Sequence, residues 1–190
     1  RAGAGDSAAI VGFVISGDAP RPIVVRGIGP TLGALGVGTA LASPKLDLYR
    51  GADLVASNTG WAAGGNATTL AAAFARVGLF ALDAASADSA LAITLAPGAY
   101  TAQITGIGGA EGNALVEIYD LAPGNLAQRL SNLSTRAFAG RGDDTLIGGM
   151  IVAGDVPKRM LVRAVGPGLA QFGVGGVLRR PLLSIFQGGT

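Results

Sequence analysis

The sequence predicts an all-β protein, an antiparallel, jelly-roll-like β-sandwich of about eight strands with one short helix, repeated in tandem. Three observations predict it. Apolar runs of strand length are separated by turns rich in Gly, Pro and Asp. Glycine reaches 32 of 190 residues, against a usual share of about 7%. A long internal repeat runs through the chain.

The elements follow in order. Residues 10–15 form a strand-length apolar run, closed by the turn Gly17-Asp18-Ala19-Pro20. Residues 22–28 give the next strand, stopped by Gly29-Pro30. Leu46 and Leu48 alternate with Asp47 and Tyr49, the period of a half-buried strand. Gly51-Ala52-Asp53 then turns the chain into Leu54-Val55-Ala56 as a hairpin. Over 68–77, Leu70, Ala73, Phe74 and Val77 stand at helical spacing, with Asn66 or Thr68 as N-cap and Gly78 as the stop. That helix covers one end or one open face of the sandwich. Strands follow over 90–95, 100–105 and 115–119, the first two joined through Ala96-Pro97-Gly98-Ala99. Residues 126–138 hold one more.

The repeat has an offset of 137 residues and no gaps. Val25-Arg26-Gly27-Ile28-Gly29-Pro30 corresponds to Val162-Arg163-Ala164-Val165-Gly166-Pro167. Gly5-Asp6 corresponds to Gly142-Asp143, Gly17-Asp18 to Gly154-Asp155, and Pro20 to Pro157. Gly36-Val37-Gly38 matches Gly173-Val174-Gly175, Pro44 matches Pro181, and Leu46 and Leu48 match Leu183 and Ile185. The sequence therefore divides into a complete repeat, 1–137, and the first part of a second, 138–190. The second part carries too few strands to close a sandwich alone: either it belongs to a longer array, or it completes, or is completed by, a neighbour.

Composition narrows the function. Charged residues are only 14% of the chain and mean hydropathy is +0.49, against about 25% charged residues in typical domains. So little charge leaves apolar surface to be covered by a partner. The formal net charge is +2, from 14 basic and 12 acidic residues spread thinly, which excludes the basic face of a nucleic-acid binder. No run approaches the length of a transmembrane helix. Histidine and cysteine are both absent, which removes the nucleophile triads and the common zinc sites. The acids of Gly5-Asp6, Gly17-Asp18, Gly142-Asp143 and Gly154-Asp155 sit beside turn glycines, where Asp bonds its own backbone. The sequence reads as a non-enzyme with no cofactor. Calcium is the one ion left open, with Asp53, Asn58, Asp83, Asp88, Asp143 and Asp144 as oxygen donors.

The residues singled out are structural. Arg26 and Arg163 precede equivalent turns, Gly29-Pro30 and Gly166-Pro167, and read as clamps on a turn Asp or as contacts between repeats. Trp61, the only tryptophan, plugs the end of the core or stacks on a sugar. Arg141-Gly142-Asp143 spells an integrin-binding tripeptide, but the first copy has Ala4-Gly5-Asp6 there, so the Gly-Asp turn is the shared feature.

A set of motifs carries a family resemblance. It comprises Leu130-Ser131-Asn132-Leu133-Ser134-Thr135-Arg136, Ile147-Gly148-Gly149, Leu161-Val162-Arg163-Ala164-Val165-Gly166-Pro167 and Phe172-Gly173-Val174. With Leu95-Ala96-Pro97-Gly98-Ala99-Tyr100-Thr101 and Ala114-Leu115-Val116-Glu117-Ile118-Tyr119-Asp120, the chain resembles a tandem module of large exported bacterial surface proteins. The resemblance implies export and repetition and carries over no catalytic residue. The expected function is that of a structural subunit of an extracellular filament, sheath or cell-surface array, with copies of itself as partners. Strands near 8–15 and 145–152 are the expected junction. The alternative is a carbohydrate-binding or adhesion module, with glycan as partner.

Overall fold

The computed structural model describes residues 1–124, 129–152 and 155–188. It contains two compact units, Arg1–Leu146 and Ile147–Thr190.

Among its described residues the first unit holds eight strands: β1 (Ala9–Ser16), β2 (Arg21–Ile28), β3 (Pro44–Arg50), β4 (Asp53–Asn58), β5 (Ser89–Leu95), β6 (Gly98–Gly106), β7 (Leu115–Asp120) and β8 (Arg129–Arg136). Leu126, expected at the start of the last strand, lies outside the described residues. The strands make two antiparallel sheets, one in the order β4-β3-β6-β1-β8 and one in the order β5-β2-β7. The pairings β1–β8, β2–β7 and β3–β6 are nested, as if one long hairpin had folded over on itself.

The alternation of side chains explains how the sheets face each other. Phe13 and Ile15 of β1, Leu46 and Leu48 of β3, and Tyr100, Ala102 and Ile104 of β6 point inward from the larger sheet. They meet Ile23 and Val25 of β2 and Leu95 of β5 in one apolar cluster. Each such aliphatic side chain contributes about 1.5–3 kcal/mol on burial. Phe13 stacks on Tyr100 with ring centroids 5.6 Å apart.

The smaller sheet is covered on its other face as well. Val24 and Ile28 turn away from the first cluster and pack with Trp61, Leu70, Phe74 and Leu82. Leu70 and Phe74 are the buried side chains of helix α2 (Ala67–Arg76), the second of two short helices after α1 (Pro30–Ala34). The helix predicted over 68–77 is thus present and covers the open face of the three-stranded sheet. Its end is set by Gly78, whose φ is +71°. Gly78 N–H donates to Ala75 O (3.3 Å) and Leu79 N–H to Phe74 O (2.9 Å), the paired bonds of a Schellman cap. Asn66 occupies the N-cap position without a side-chain capping bond.

One property of the pairing bears on the second unit. β1 pairs with β6 and β8, β2 with β5 and β7, and β3 with β4 and β6. The first three strands share no ladder with one another and are strands only because β4–β8 surround them.

The second unit contains one 3₁₀ helix, Pro167–Phe172, and no strand among the described residues. Its local geometry nevertheless copies the first unit. The φ and ψ of Gly166 are −116° and −81°, against −129° and −76° at Gly29. Leu169 N–H donates to Gly166 O (3.0 Å) as Leu32 N–H does to Gly29 O (2.9 Å). Among its described residues, short-range features form without long-range ladders.

Candidate assembly surface

The Gly-Pro turn is built around a buried carboxylate. Asp88, just before β5, accepts hydrogen bonds from Gly29 N–H (2.6 Å), from Ser86 Oγ (2.5 Å) and from Thr31 Oγ1. Gly29 is required because a β-carbon there would stand 2.1 Å from the carbonyl oxygen of Leu41. Pro30 opens α1 in the first turn, where its missing N–H costs nothing. Gly166 repeats this close approach, its β-carbon position lying 2.0 Å from Leu178 O and 3.2 Å from Pro181 Cδ. Pro167 likewise opens its 3₁₀ helix.

Arg26 is fully buried on the outer face of β2. Its Nε and Nη2 donate to Glu117 Oε2 of β7 at 2.7 and 2.5 Å, and its Nη1 donates to Phe80 O at 2.8 Å. The guanidinium also lies over the rings of Phe80 (4.2 Å) and Phe74 (4.9 Å). Arg26 is therefore a clamp, but on a neighbouring strand. The expected partner, a turn Asp, is corrected to Glu117, because Arg26 and Glu117 face each other across the β2–β7 ladder. Arg21 makes a second such link, with Nε and Nη2 donating to Asp120 Oδ2 at 2.9 and 2.5 Å.

Trp61 is buried, stacks at a tilt on Phe74 (5.7 Å) and donates Nε1–H to Asp83 O (2.8 Å). Its indole belongs to the core layer under α2 and presents no face to a sugar.

Three of the six oxygen donors named for calcium are engaged with the backbone or with the Gly29 turn. Asp83 accepts from Ala85 N–H, Asn58 Oδ1 accepts from Ala90 N–H, and Asp88 is engaged at the turn. No group of three or more acidic ligands stands together among the described residues. The side chain of Asp143 lies outside what is described, as does Gly154.

One of the two expected junction strands needs correction. β1 is an interior strand, hydrogen-bonded on both sides, and has no edge to offer. Residues 145–152 are not a strand. The ends of the larger sheet are β4 and β8, and exposed Leu54, Val55 and Leu133 lie on them.

Most of the exposed large apolar side chains lie in the second unit. Side chains at the repeat positions of core residues are uncovered there. Leu161 is 85% exposed where its counterpart Val24 is 0%, and Ile185 is 72% where Leu48 is 0%. Met150 is 51% exposed where Phe13 is 2%. Met160, Val165 and Leu183 are exposed in the same way, and Arg163 is exposed while Arg26 is buried. No helix among the described residues is long and apolar enough to cross a membrane.

The partners Glu117, Asp120 and Asp88 escape a reading of the sequence. Only the alternation Val116-Glu117-Ile118, an acid inside a β-run, signals that one of them faces a buried cation. Comparison with protein-family models, with curated proteins and with solved structures finds no match.

Proposed function

We propose that the chain is a structural subunit of an extracellular filament, sheath or cell-surface array. Its unit is a jelly-roll-like sandwich repeated in tandem, and copies join by strand pairing and sheet packing between repeats. The observation that carries this reading is the uncovered apolar set at Met150, Met160, Leu161, Leu183 and Ile185, spaced as in a finished core. Clustered exposed apolar side chains of this kind mark interaction surfaces. The nested strand pairs support the jelly-roll-like description, and the matching turns at Gly29 and Gly166 support the tandem repeat. Export rests on the family resemblance. No chemistry is assigned, since Arg21 and Arg26 are paired with Asp120 and Glu117 and the Asp88 carboxylate is taken up by the Gly29 turn. A glycan-binding role loses its platform with Trp61 inside the core.

Electron microscopy of the native material tests this directly. Regular filaments or a lattice are expected, and monodisperse particles at high concentration would overturn the reading.

A further inference from the structure

We infer that residues 146–152, 158–165 and 181–187 are a docking segment, a second set of β1–β3. Their partner is a β4–β8 strand set of this chain's own type whose β1–β3 place is vacant, with acidic side chains at the positions of Glu117 and Asp120. This deepens the assembly reading and rests on it.

Four observations carry the inference. First, β1, β2 and β3 pair only with β4–β8, so a segment with their pattern has no ladder to make by itself. Second, the docking segment is uncovered at the positions that are core in the first unit, as at Leu161, Leu183 and Ile185. Its turn, by contrast, is already shaped, with Gly166 against Leu178 O as Gly29 is against Leu41 O. Third, charge is retained where the partner demands it. Lys158 and Arg163 stand at the places of Arg21 and Arg26, which pair with Asp120 and Glu117. Where Lys45 and Asp47 form a pair in the first unit, the segment has Leu182 and Ser184, so both members are replaced together and neither charge is orphaned. Fourth, the end of β8 lies beside the start of β1, with Arg136 opposite Ile10. Chain leaving a β8 is therefore delivered to the entrance of a β1 position.

The chain's own β4–β8 is filled by residues 1–50, so the probe is the segment 51–137 supplied separately. Full-length chain is refolded with it, and amide hydrogen exchange is read across the docking segment. A one-to-one complex is expected, with exchange at 146–152, 158–165 and 181–187 slowed about ten-fold or more. Arg163→Glu, at an exposed position, is expected to weaken capture about ten-fold or more by opposing the acid at the Glu117 place. No complex, or a complex whose docking segment exchanges as fast as in the free chain, overturns the inference. If 51–137 aggregates on its own, the chain 51–190 decides, since it holds one docking segment and one strand set. A cooperative unfolding transition with buried-indole emission from Trp61 supports the inference, and its absence overturns it. Filaments without capture would defeat the docking segment and leave assembly standing, whereas capture without filaments would do the reverse.

Discussion

At Gly29, between β2 and α1, the backbone passes so close to Leu41 that a methyl group would meet a carbonyl oxygen at 2.1 Å. Backbone cannot swing aside, so Gly29→Ala is expected to cost about 3 kcal/mol or more in urea unfolding. Gly27 offers a contrast, because its β-carbon would meet side chains alone, with Ile104 Cδ1 nearest at 2.4 Å. Gly27→Ala should cost about 1–3 kcal/mol, and Ile104→Val, which removes that methyl, should recover part of the loss in a double-mutant cycle. Glu117→Gln leaves the Arg26 guanidinium buried without its counter-charge and should cost about 3–5 kcal/mol. Next to this pair, Tyr119 has its pKa raised above 10.0, first by burial and then by the charge of Glu117, with Arg26 opposing. The neutral phenol is thus favoured in the folded state. Its contribution is fully present below the unfolded value and is lost as pH rises through the folded one. Urea midpoints followed from neutral pH to above 10 should fall less steeply for Tyr119→Phe than for the parent. At this scale Arg26, Gly29 and Pro30 were legible in the sequence, since Gly-Pro punctuation and a charge inside an apolar run both stand out. Glu117, Asp120 and Asp88 were not, because nothing local says which distant strand lies alongside.

Among the elements, period-2 runs placed the strands and a 3.6-residue period placed α2, because both patterns are written in neighbouring residues. Sheet order was not legible. β1 looks like any apolar strand, and only the long-range pairing with β6 and β8 makes it interior. Its expectation as a junction failed for that reason. The C-terminal cap of α2 yields a further prediction. Gly78 holds φ +71° with no atom near its β-carbon position, so strain alone opposes a side chain there. Gly78→Ala should lower stability by about 1 kcal/mol without disturbing Trp61 fluorescence.

Across the whole molecule, the turns at Gly29 and Gly166 share local geometry while their surroundings differ in long-range structure. Turns need only their own residues, so the Gly166 turn takes the shape of the Gly29 turn. Strands need partners, so the segment after Leu146 keeps its apolar side chains uncovered. The measurement that bears most directly on this is sedimentation velocity across a concentration series, comparing the full chain with a chain ending at Leu146. Association that grows with concentration and is lost on removing residues 147–190 is the predicted result. A full chain that stays monomeric at every concentration would contradict it.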